Sequence, residues 1–239
     1  MLTSRPLVLA LFVACALVPQ GSSAAPEDYV RPLRLPLRAA AQDAHAAALG
    51  RQILQRYLGP GMACRYTAIE TTRVLAGRVR ESRQVVLHGG AGMERREYTY
   101  PARMRGDILL LTAGATYHYR AKPTPGVRVG AAQIEAGRRR TLLALRATAA
   151  GRLRLRAVGT DEVADRSADI VEIGGLPGRA VRRLWIDRAT GVRLRVDTLD
   201  SLGATQTTSY YTQIDYSAKP DPALFSPDSL PHAPKIQLP

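Results

Sequence analysis

Arg152, Arg154 and Arg156 alternate with Leu153, Leu155 and Ala157, and Arg193 and Arg195 alternate with Leu194 and Val196. In a strand, side chains two apart share a face and stand roughly 6.5 to 7 Å apart. At that spacing neighbouring guanidinium groups can each grip a phosphate or carboxylate bidentately. These five arginines are therefore the candidates for an anion-binding surface. A solvated outer face that keeps the sheet soluble is the competing reading.

Residues for bond-making chemistry are not arranged to perform it. No Gly-x-Ser-x-Gly elbow occurs, and Cys64 has no histidine beside it in sequence to activate it. His45, His88, His118 and His232 have no paired metal-ligand spacing, so they read as surface or strand-edge residues. Asp161-Glu162 and Asp197 with Asp200 read as solvated turn carboxylates, since a glycosidase pair needs a cleft between its members. Arg105-Gly106-Asp107 matches an adhesion tripeptide, but Gly106-Asp107 is also ordinary turn chemistry. The expectation is a protein without catalytic residues, metal or cofactor.

Residues 1 to 24 read as an export signal: Arg5 supplies the positive end, Leu7 to Val18 the apolar run, and Ser22-Ser23-Ala24 the cleavage site. Cleavage near Ala24 predicts a periplasmic or envelope location. Val13-Ala14-Cys15 partly resembles a lipidation site, which leaves lipidation of Cys15 as a second reading. No later segment approaches the roughly 20 apolar residues of a membrane-spanning helix. Without the leader one cysteine is left, Cys64, so the fold must rest on its core rather than on an internal disulfide. The net charge of +14 favours an anionic partner. Export argues against nucleic acid, and no motif for it occurs.

Residues 25–39 are rich in proline and charge and read as an extended lead-in. A helix is expected over 40–58, where Ala46, Leu49, Ile53 and Tyr57 form one stripe and Gly59-Pro60-Gly61 stops it. Strands with glycine turns follow from Met62 to Arg120. Ile108 to Leu111 is apolar on both faces and must be covered on both. A second helix is expected over 131–148. A second run of strands occupies 152–164, 168–173, 179–186, 192–199 and 205–216. Within it, Leu184 to Val196 reads as two alternating strands around Asp187 to Gly191, a type I turn closed by a left-handed glycine. The tail from Lys219 is expected along the surface, with 232–239 beyond the domain.

Gly106 to Leu111 followed by Tyr117-His118-Tyr119, and Leu184 to Arg195 followed by Asp200 to Gly203, resemble the MucB/RseB N-terminal domain and the LolA-like lipoprotein carriers. The resemblance spans 40–231. It implies an α+β fold of mainly antiparallel strands, a curved incomplete barrel with helices in its concave face. It also implies noncatalytic binding of lipid or lipoprotein acyl chains, as carrier or sensor. The alternative it implies is a regulator of envelope-stress signalling that binds and shields an anti-sigma factor. The chain ends at Pro239 and would then lack the smaller second domain of such regulators. Alternation nominates Ile69, Met93, Tyr98, Leu109, Leu111, Tyr117, Tyr119 and Trp185 as lipid-contact candidates, although residues in such positions are more often plain core.

Overall fold

The computed structural model describes residues 44–112, 115–121, 154–174 and 181–231. The expected leader, lead-in, second helix, Arg152 and residues 232–239 lie outside them. The described residues begin with an α-helix, α1 (Ala44–Arg56), followed by a π-helical turn, Tyr57–Gly61. Among the described residues ten strands follow: β1 (Tyr66–Val74), β2 (Arg80–Gly90), β3 (Met93–Tyr100), β4 (Ile108–Leu111), β5 (Thr116–Tyr119), β6 (Arg154–Glu162), β7 (Ser167–Gly174), β8 (Val181–Asp187), β9 (Arg193–Leu199) and β10 (Thr205–Asp215).

All pairings are antiparallel, in the order β5-β4-β3-β2-β1-β10-β9-β8-β7-β6. Each run of strands anticipated from the turns is thus a five-stranded meander, and the two fuse along β1 and β10. Sheet edges at β5 and β6 do not meet, so the barrel is open: the half-barrel that the resemblance implied. At the seam the Thr72 and Ser209 hydroxyls bond at 2.7 Å and those of Tyr66 and Tyr211 at 3.0 Å.

Helix α1 packs on β6 and β7 because its buried stripe, with Ile53 and Leu54 at its centre, meets Leu155, Val171, Leu184, Ile186 and Val196. Gly50 lets it lie close: a Cβ there would stand 3.0 Å from the Ala157 nitrogen. Its end docks on the β8–β9 hairpin. That hairpin is closed as its sequence indicated, with Gly191 N donating to the Asp187 carbonyl at 2.9 Å and Gly191 at φ +78. A Cβ on Gly61 would lie 2.1 Å from the Gly191 carbonyl oxygen, so helix end and hairpin touch backbone to backbone.

Asp187 is the hub of this corner. Burial alone would raise its pKa, but hydrogen bonds from Arg166, the Tyr216 hydroxyl and the Ala189 and Thr190 amides outweigh it and hold the carboxyl below its usual value. The tail does more than lie along the surface. Phe225 is buried, packed where a Gly89 Cβ would stand, and Arg95 donates to the Leu224 carbonyl and the Ser229 hydroxyl. Arg95 pairs in register with Leu110 and Leu87, so the tail covers the face of β2 to β4 opposite α1. Ile108 to Leu111 is accordingly buried at all four positions, as its sequence required.

Candidate functional site

Cross-strand partners share a face, so the register sorts the nominated residues. On the α1 side, Val171 is opposite Leu184 and Leu184 opposite Val196; Val196 meets Ser209, and Ser209 is opposite Thr72. Continuing across β1, β2 and β3, Glu70 is opposite Gln84 and Gln84 opposite Tyr98, while Val86 is opposite Arg96 and Arg96 opposite Leu109. Tyr98, Leu109 and Leu111 therefore share the α1 side. Ile69, Tyr117, Tyr119 and Trp185 occupy the other side, and Met93 sits at the β2–β3 hairpin. The eight lipid-contact candidates thus line no single surface. Trp185 is 1% exposed; its indole N–H donates to Asp161 at 2.9 Å and the Arg195 guanidinium covers its ring at 4.4 Å.

The arginines are sorted as decisively. A bulge between Trp185 and Ile186 pairs Arg195 with Trp185 but Arg193 with Ile186, so these two arginines point to opposite faces. The expectation that they share a cationic face is corrected by that one inserted residue. On the side away from α1, a row of alternating sign crosses four strands: Arg156, Glu172, Arg183 and Asp197. Glu172 accepts from Arg156 and Arg183 at 2.8 Å each, and Asp197 accepts from Arg195 at 2.7 Å and from the Thr208 hydroxyl at 2.6 Å. Carboxylates thus neutralise Arg156 and Arg195, and of the four nominated arginines among the described residues only Arg154 is exposed. Asp197, read as a solvated turn residue, is a buried strand residue instead.

Sequence reading missed the polar centre of the α1 side. Glu70, 2% exposed, accepts from Gln84 and Arg96, with Arg193 3.9 Å away; Arg96 also pairs with Glu94. Two carboxylates thus meet two guanidinium groups from three strands. The one available signal was the placement of Glu70 where Tyr66 and Ala68 set an inward alternation. His88 belongs here too: it is buried rather than at the surface, stacked on Tyr66 at 4.8 Å, with Nδ1 2.7 Å from the Cys64 carbonyl. Burial, then the nearby Asp187, push the Cys64 thiol up, away from a reactive thiolate. Among the described residues no three His, Cys, Asp or Glu side chains gather into a metal-holding group.

Burial would raise the Glu94 pKa, yet Arg96, His88 and Arg193 pull it down to about 2. A carboxyl lowered on folding stabilises the protein above its unfolded pKa and loses that contribution as pH falls through its folded one. The shift from 4.5 to about 2 corresponds to on the order of 3 kcal/mol. Thermal melting followed by circular dichroism is therefore expected to weaken steadily between about pH 5 and pH 2. Glu94→Gln should lower the neutral-pH melting temperature and flatten that acid limb; an unchanged limb would remove Glu94 from the account.

The comparisons with known proteins bear on this geometry. Residues 113–230 match the MucB/RseB N-terminal domain. The resemblance read from the sequence holds over that span. Among solved structures, MucB alone superposes with a TM-score of 0.55 at 19% identity, covering 79% of this chain and 64% of that one. MucB in complex with MucA(peri) gives 0.54 at 19% identity, covering 77% and 60%. The Pseudomonas aeruginosa MucA/MucB complex gives 0.53 at 17%, covering 74% and 60%. The chain therefore spans about 60% of the length of these MucB structures, and at such identities the likeness establishes the fold. No curated protein matches the sequence.

Proposed function

We propose that this is a noncatalytic binding protein of the cell envelope that takes the acyl chain of a lipid or lipoprotein on the α1 side of its half-barrel. The observation that carries the reading is the MucB/RseB N-terminal match on an open sheet with a two-sided division of labour. The side opposite α1 is occupied by the charge row and the docked tail. The α1 side carries Tyr98, Leu109 and Leu111 on strands far in order from β6 and β7, where the helix leans. Each buried methylene of a ligand contributes about 0.8 kcal/mol, so chain burial supplies affinity without reactive groups.

Protein purified from its own envelope should carry a lipid adduct in native mass spectrometry and should release a fluorescent fatty acid to unlabelled palmitate. No adduct together with no displacement would overturn the proposal. The second reading, shielding of an envelope protein, draws support from the MucB complexes that share the fold. A stoichiometric protein captured from envelope extracts and indifferent to added lipid would favour it.

A further inference from the structure

Among the described residues, Arg182 on the α1 side has no counter-charge. Arg182 projects there because it pairs with Ile173 of β7, two residues along from the Val171–Leu184 pair that packs under α1. Its other register neighbour is Thr198 of β9. Neither neighbour is acidic, and among the described residues Arg182 forms no ion pair or side-chain hydrogen bond; burial and repulsion from Arg193 both weaken its hold on the proton. The Thr198 hydroxyl beside it is itself buried without a hydrogen-bond partner. Arg193, two register rows away on the same side, is shared with a Glu70 already committed to Arg96. The contrast with the opposite face is sharp: there the next residue, Arg183, is matched by Glu172. Arg182 is half-buried without a carboxylate and the Thr198 hydroxyl beside it is buried without a partner, and an arriving oxyanion satisfies both.

We propose that Arg182 and Thr198, with Arg193 behind them, form a subsite for the anionic head, carboxylate or phosphate, of the amphiphile whose chain the half-barrel takes. The proposal rests on the acyl-chain reading above and adds its polar end. A planar guanidinium donates two parallel N–H bonds to an oxyanion, and the Thr198 hydroxyl donates a third.

The test measures binding of palmitate, hexadecyl phosphate and uncharged hexadecanol to the full chain and to Arg182→Met. Charge-assisted bonds of this kind predict a loss of roughly tenfold or more for palmitate, hexadecyl phosphate or both, with hexadecanol held within about twofold. The ligand that loses more identifies the head group. Because Met replaces an unpaired cation, the variant should melt at the same or a higher temperature, whereas a structurally satisfied arginine would leave it less stable. Equal losses for all three ligands, or none, would overturn the subsite alone. Failure of the unaltered protein to bind any of them would overturn the acyl-chain reading and the subsite with it.

Discussion

Gly61→Ala is expected to destabilise the protein by about 3 kcal/mol, while Gly59→Ala two residues earlier changes little. At Gly61 a methyl would stand 2.1 Å from the Gly191 carbonyl oxygen and 2.5 Å from its carbon, whereas at Gly59 nothing lies within 4 Å. Neither backbone segment can yield easily. Gly191 is pinned by its bond to Asp187, by φ +78 and by the Arg56 carbonyl 2.7 Å from where its own Cβ would be. The loss should appear as a fall in melting temperature of about 6 to 12 °C for a domain of this size. Equal melting temperatures for the two variants would mean that helix and hairpin are not in backbone contact.

Glu70→Ala should cost about 3 to 5 kcal/mol, because it leaves Arg96 with Glu94 alone and Arg193 without the Glu70 carboxylate in the interior of the sheet. The expensive state is the half-removed cluster, since an uncompensated buried charge has neither water nor partner. The double variant Glu70→Met, Arg193→Met, which keeps the Arg96–Glu94 pair, should therefore recover much of the loss, even though it departs further from the natural sequence. Chemical denaturation of the two single variants and the double variant measures this coupling directly. Additive losses would show that the two side chains stabilise the sheet independently.

Local pattern made much of the architecture legible, and long-range register concealed the rest. The β8–β9 hairpin follows from alternation on both sides of a loop ending in Gly191, and the burial of Ile108 to Leu111 from the absence of any polar side. The strand runs follow from their glycine turns. That β1 and β10 join them is a contact between residues more than 130 apart, such as Thr72 and Ser209. The bulge beside Ile186 leaves no mark on alternation, yet it turns Arg193 inward and parts it from Arg195. Charges in the row from Arg156 to Asp197 lie on four different strands, so their mutual neutralisation appears only once the strands are paired. Arg182 was hidden for the same reason: beside Arg183 it is one of two adjacent arginines, and only the register gives one a carboxylate and leaves the other with a threonine.

Photolabelling with a palmitate analogue carrying a diazirine near its methyl end, mapped by residue-level mass spectrometry, tests most directly that the α1 side holds an acyl chain. The expected result is label on that side, at Tyr98, Leu109 or Leu111, suppressed by excess palmitate. Label confined to Tyr117 and Tyr119 on the opposite side, or label that palmitate does not suppress, would contradict it.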